Sequence, residues 1–208
     1  MQVLDVGLTG GIGCGKSLAL SIFKALGCQT LNADVMYHDL IQPGRPLQKK
    51  LVKEFGGEIL DESGAIDRKK LGAIVFADPT RREQLNKLAH PAVVKEQKRL
   101  KKEIRKQLKR ENIEQAVIVT DAALMIEAGT YKNYDKVIVV ACEPENQKQR
   151  IMARNGYSEE EATRRIESQM PVSEKVKYAD YVIHNDAGPQ ELIKEVETVL
   201  AKLYESMV

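Results

Sequence analysis

Gly10-Gly11-Ile12-Gly13-Cys14-Gly15-Lys16-Ser17 reads G-x-x-x-x-G-K-S, and its flanks decide the fold. An apolar run over residues 3–8 precedes it, and a helix-like stretch over residues 18–26 follows. A strand that feeds a glycine turn, which in turn opens a helix, is the context a phosphate-binding loop requires. The glycines let the backbone curl so that several N–H groups face one anion, and the positive end of the following helix adds to that field. Lys16 is then expected to reach the β- and γ-phosphates of a nucleoside triphosphate, and the Ser17 hydroxyl to ligate magnesium.

Outward from the loop, strand and helix patterns alternate, which argues for an α/β fold with a parallel sheet covered by helices. Strands are expected at residues 3–8, 29–32, 117–120, 137–141 and 181–183. The first, third and fourth are short β-branched apolar runs of the kind buried parallel strands need. Gly27 suits the end of the first helix. Ser158-Glu159-Glu160-Glu161 spells a capping box for a helix running to about Gln169, before Pro171. Residues 190–204 read as a closing amphipathic helix.

The interval 43–115 offers no convincing strand and is expected to be a mostly helical insertion, with Asp78-Pro79 and His90-Pro91 punctuating its helices. It ends in a basic helix over residues 95–110, whose apolar positions Val94, Leu100, Ile104 and Leu108 recur at near-helical spacing. That helix reads as a solvated face, or as an electropositive face for a polyanionic ligand.

Composition narrows the classes. With 208 residues the chain suits one main domain with a small inserted piece. A net charge of +2 gives no global field that demands nucleic acid, and the basic helix has little aromatic interleaving for base stacking. No apolar run approaches membrane-spanning length. The start of the chain lacks a secretory leader pattern. Three widely spaced cysteines, with no C-x-x-C, suggest neither a disulfide framework nor a zinc site, so a cytoplasmic setting is expected. Cys14, just before a helix amino terminus, is expected to be thiolate-prone and reactive, or else to pack inward and stay inert.

A guanine-nucleotide switch is unsupported. Asp61-Glu62-Ser63-Gly64 matches D-x-x-G by letters but sits in a polar turn, and Asn86-Lys87-Leu88-Ala89 lacks the guanine-reading aspartate. A small-molecule kinase needs a base near the acceptor hydroxyl, positive charge over the transferring phosphoryl group and a water-excluding lid. Asp34 follows the second strand at the edge where ligands bind in such sheets, as a base or as a helix N-cap. Arg150 and Arg154 lie four apart on one helical face, Arg164 and Arg165 follow, and the turn at Asn155-Gly156-Tyr157 suits a lid. Asp121 closes the third strand and either holds a magnesium-bound water or caps the next helix.

At these residues the chain resembles the dephospho-coenzyme A kinase family, nearly end to end. The resemblance is carried by residues 8–17, by Ala33-Asp34, by Gly64-Ala65-Ile66-Asp67-Arg68 and by His90-Pro91. It continues through residues 121–127, Gln147-Lys148-Gln149-Arg150 with Arg154, and residues 179–185. It implies a phosphate-loop kinase fold with a five-stranded parallel sheet, a helical coenzyme-A-binding insertion at 43–115 and a lid near 144–178. It also implies transfer of the ATP γ-phosphoryl group to the ribose 3′-hydroxyl of dephospho-coenzyme A. Lys16, Asp34 and Arg150 would be catalytic. Gly10, Gly11, Ile12, Gly13, Cys14, Gly15, Lys16, Ser17 and Asn185 would bind ATP, with Asn185 near adenine. Thr9, Asp34, His90 and Arg154 would face the acceptor, and Ser17 would hold Mg2+. The chain departs from the family pattern at Asn32, where aspartate is usual, at Ala123, where proline is usual, and at Cys14, where serine is common. The alternatives are another small-molecule or nucleotide kinase of this fold, and a nucleotide-dependent switch or binding protein.

Overall fold

The computed structural model describes residues 1–207. Five strands form one sheet: β1 (Gln2–Gly10), β2 (Gln29–Asn32), β3 (Gln115–Asp121), β4 (Lys136–Ala141) and β5 (Tyr181–His184). Their order is β2-β3-β1-β4-β5. β1 runs parallel to both β3 and β4, with Leu8 opposite Asp121 on one side and Ile138 on the other. β4 is parallel to β5. The carboxyl end of β1 is thus flanked by those of β3 and β4, the position where ligands bind in open α/β sheets.

Period-2 alternation sorts the strand side chains. Ile138 and Val140 of β4 join Val6, Leu8, Val117, Val119 and Ile183 in a core closed by α1 (Lys16–Ala25) and α9 (Pro189–Glu205). Val137 and Val139 point the other way. They pack with Met125, Ile126 and α8 (Val172–Val176). Gly27 does end α1: it takes φ +91°, a left-handed conformation that costs a β-carbon-free residue little.

The chain divides into two compact units, one formed by Met1–Leu31 with the chain from Ile104 onward and the other by Asn32–Glu103. The second unit holds α2 (Ala33–Leu40), α3 (Pro46–Phe55), α4 (Arg68–Ala77) and most of α5 (Pro79–Arg110). Its own core joins Ile41, Leu47, Leu51, Phe55, Ile59, Ile66, Leu71 and Val75. Asp78-Pro79 separates α4 from α5, as expected. His90-Pro91 does not break anything: Pro91 lies inside α5, a helix of 32 residues. Proline removes one intrahelical donor; the partly buried flank formed by Leu85, Leu88 and Ala92, packed against this unit's core, holds the helix across that gap.

The basic stretch 95–110 is the second half of α5. Its Arg99 is neutralised on the helix itself by Glu96 and Glu103, each 2.6 Å away. Arg105 pairs with Asp5 of β1 at 2.8 Å. Asp61, whose letters resemble a switch motif, spends its carboxylate on its own turn, accepting from the Ser63 and Ala65 N–H groups. Among the described residues no helix is long and apolar enough to cross a membrane.

Candidate active site

The phosphate loop leaves β1 at Thr9 and Gly10. Gly13 and Gly15 take φ of +82° and +88°, values that only glycine adopts without strain. A side chain would not fit either. A β-carbon on Gly15 would lie 2.1 Å from the Asn185 amide nitrogen, and one on Gly13 would lie 2.8 Å from the Gln147 carbonyl. Gly11 is pressed just as closely, by the Gln147 amide and Val172. Gly13 and Gly15 are therefore imposed twice, by conformation and by close neighbours, and Gly11 by its neighbours.

Lys16 begins α1, and its ammonium pairs with the carboxylate of Asp121, which is buried at the end of β3. β3 leads into turns rather than into a helix, so Asp121 is not a helix cap; it holds the loop lysine. Ser17 is exposed on the first turn of α1. Thr9 donates to the Ala123 carbonyl at 3.0 Å.

α6 (Pro144–Asn155) brings Gln147 and Arg150 to the loop one helical turn apart. The Gln147 amide donates to the Ile12 carbonyl at 2.7 Å. Arg150 is half-buried, and its Nη1 is buried without a hydrogen-bond partner among the described residues. Its charge acts on Cys14, Cys142 and Asp186, which places it beside the loop. A buried guanidinium nitrogen left unpaired is costly unless an anion completes it. Arg154, by contrast, is exposed and donates to Asn155.

Asn185, at the end of β5, is buried and donates to the Cys14 carbonyl at 2.9 Å. Cys14 is itself buried, and the Cys142 thiol donates to its sulfur at 3.2 Å. That hydrogen bond, aided by Arg150, holds the Cys14 thiol below its usual range; the same bond and burial push Cys142 up. The structure thus decides for the inward-packed reading of Cys14: its acidity is eased, but its sulfur is shut away from solvent.

Asp34 and His90 belong to the second unit. The N-cap of α2 is not Asp34 but Asn32, whose side-chain oxygen accepts the N–H groups of Asp34 and Val35. The departure at Asn32 therefore has a local function that an amide oxygen performs as well as a carboxylate. Asp34 is exposed in the first turn, with its carboxylate unused by that cap. His90 is half-buried, and burial lowers its pKa.

Three participants were not singled out from the sequence. Lys175 is fully buried, pairs with Glu127 at 2.8 Å and donates to the Ala123 carbonyl at 2.9 Å. Thr9 and Lys175 thus converge on one carbonyl and fix the turn after β3, where Ala123 stands in place of the usual proline. Gln169 follows α7 (Glu159–Glu167) and accepts the Ile12 N–H at 3.1 Å. Gln147 lay within a quoted motif without a role. The capping box of α7 is present, with Ser158 and Glu161 bonding reciprocally.

Comparison with known proteins agrees with this geometry. The family pattern described as dephospho-CoA kinase matches residues 4–191. A dephospho-CoA kinase of Aquifex aeolicus is 44% identical over 198 residues, covering 95% of this chain and 96% of that protein. The structure of dephospho-CoA kinase from Campylobacter jejuni is similar with a TM-score of 0.69 and 31% identity, covering the whole of both chains. A Thermus thermophilus structure aligns with a TM-score of 0.79 and 30% identity over 98% of this chain and 99% of that one. With a complete phosphate loop, a parallel sheet that presents it and similarity along nearly its whole length, the chain belongs to the dephospho-CoA kinase family.

Proposed function

We propose that this chain transfers the γ-phosphoryl group of ATP to the ribose 3′-hydroxyl of dephospho-coenzyme A, giving coenzyme A and ADP. Family membership supports the acceptor. The observation that carries the donor half is the loop between Lys16 and Arg150, where a buried guanidinium nitrogen lacks a partner.

In this reading Lys16 leaves Asp121 for the β- and γ-phosphates when nucleotide arrives. Arg150 meets the charge on the transferring phosphoryl oxygens, which is where preorganised cations lower the barrier most. Asp34 orients the 3′-hydroxyl and accepts its proton. His90 and Arg154 serve the acceptor side, and the second unit, including the expected insertion at 43–115, recognises the rest of the acceptor. The stretch 144–178 acts as the lid. We place the enzyme in the cytoplasm.

Magnesium fits the donor set. No cluster of three or more His, Cys, Asp or Glu side chains exists among the described residues, so there is no protein-only cage. The exposed hydroxyl of Ser17 and the carboxylate of Asp121 are hard oxygen donors beside the loop, and magnesium usually keeps several waters and takes phosphate oxygens. Bound there through Ser17, it would offset phosphate charge.

The deciding experiment is an ADP-release assay at saturating MgATP with dephospho-coenzyme A, AMP, adenosine, shikimate and gluconate. Dephospho-coenzyme A should be consumed far faster than the others, and NMR should place the new phosphate on the 3′ oxygen. A product phosphorylated elsewhere, or AMP used equally well, overturns the assignment.

A further inference from the structure

A phosphate loop binds through its N–H groups, so each peptide unit must face the right way. In a trans peptide the carbonyl and the following N–H point to opposite sides of one plane. Whatever holds a loop carbonyl outward therefore turns the next N–H inward. Two carbonyls of this loop are held in that manner by side-chain amides, one from α6, which follows β4, and one from the residue after β5. Gln147 of α6 donates to the Ile12 carbonyl at 2.7 Å. Asn185 after β5 donates to the Cys14 carbonyl at 2.9 Å. The next N–H groups are those of Gly13 and Gly15, the two glycines with φ near +85° (+82° and +88°). Between them, the Cys14 N–H closes the turn onto the Gly11 carbonyl at 3.2 Å. The preceding peptide is held by its other end, because Gln169 accepts the Ile12 N–H.

These contacts are built rather than incidental. Gln147 and Asn185 are both buried, 5% and 6% exposed, so their amides have no water to fall back on. Each also occupies the space a β-carbon would need. The Gln147 amide nitrogen lies 2.6 Å from the β-carbon position of Gly11, and that of Asn185 lies 2.1 Å from the one on Gly15. Glycine at these positions admits the amide that orients the loop. Asparagine and glutamine suit the task because their NH2 groups donate without bringing charge; a lysine there would add a cation, and an aspartate or glutamate would repel the carbonyl.

We propose that Gln147 and Asn185 are positioning residues for phosphoryl transfer, setting the Ile12–Gly13 and Cys14–Gly15 peptides so that the Gly13 and Gly15 N–H groups face the bound phosphates. Neither amide needs to touch the nucleotide. Without Gln147 the Ile12–Gly13 peptide is free to rotate and present a carbonyl oxygen to an anion, exchanging an attraction for a repulsion. The proposal rests on the kinase reading for the identity of the anion.

The test uses the whole protein and ADP as probe. Gln147→Glu and Asn185→Asp are nearly isosteric and replace the donating nitrogen with oxygen. Calorimetry should show ADP affinity reduced about tenfold or more in each, the scale of a lost hydrogen bond to a charged group. The diagnostic readout is residue-specific. In amide NMR, ADP should shift both the Gly13 and Gly15 N–H signals of the wild type. Gln147→Glu should lose the Gly13 shift and keep that of Gly15, and Asn185→Asp should do the reverse. If Gln147→Glu does not fold, Gln147→Met, similar in size and without a donor, carries the same expectation. Folded variants that keep both glycine shifts, with ADP affinity within roughly twofold of wild type, overturn the proposal because that is less than one such bond. Failure of the wild type to bind ADP would instead remove the kinase reading.

Discussion

At the scale of single residues, the separation of the α2 cap from Asp34, the proposed base, gives a clean substitution. Asn32 caps the helix, so Asp34→Asn leaves the cap intact. We expect folding and ATP binding to persist while kcat with dephospho-coenzyme A falls about 10²–10⁴-fold, the usual loss for a positioned base. Near wild-type turnover would remove Asp34 from the mechanism. Arg150→Ala should lower kcat more than it raises the KM for ATP, because a cation that meets charge developing in the transition state acts differentially. Arg150→Lys should recover only part, since a point charge lacks the planar fork. A rise confined to KM would make Arg150 a ground-state binder. For Cys14, its lack of exposure outweighs its eased acidity. Maleimide should modify the native protein slowly at all three cysteines, all of them buried, and mass spectrometry with and without MgATP should show little difference. Cys28 is protected twice over, since burial pushes its thiol up to about 12. Rapid labelling of Cys14 that MgATP prevents would restore the reactive reading.

At the scale of elements, the turn after β3 is held by an ion pair whose partners differ in access to water. Lys175 is fully buried on α8, while Glu127 keeps 24% of its side chain exposed. Glu127 also accepts the Met170 N–H at 3.3 Å. Removing one partner of a buried pair strands the other's charge. Glu127→Gln therefore leaves an ammonium with no water and should cost about 3 kcal/mol in urea unfolding. Lys175→Met leaves a carboxylate that can still be solvated and should cost less. The reverse order would mean that the Lys175 bond to the Ala123 carbonyl, not the ion pair, dominates. Helix ends were the most readable elements. The α7 capping box and the glycine after α1 are local chemistry, complete within a few residues. Pro91 shows the opposite. A proline usually stops a helix, but the apolar flank of α5 packed on its unit's core outweighs one missing bond, and that packing is invisible in the local sequence.

At the scale of the whole molecule, the acceptor decides what the phosphate loop is for. A long acceptor can use its pantetheine and pyrophosphate parts to hold the 3′-hydroxyl in line. AMP lacks those parts, so its deficit should appear in kcat as well as KM. Steady-state kinetics with both acceptors checks this. Equal kcat values with a difference only in KM would mean that remote binding energy is not used in the transition state.

The sequence by itself determined the phosphate loop, the five strands and the alternation that makes their sheet parallel, because each rests on short-range patterns of glycine, charge and apolar period. It also carried the ordered motifs on which the family resemblance stands. Strand order came only from the tertiary structure, as did the pairing of Lys16 with Asp121, 105 positions away. So did the burial of Cys14 against Cys142 and the grip of Gln147, Gln169 and Asn185 on the loop. These are contacts between chain segments brought together by the sheet. A side-chain amide has no periodicity and no fixed spacing, so its partner exists only once β1, β4 and β5 lie side by side.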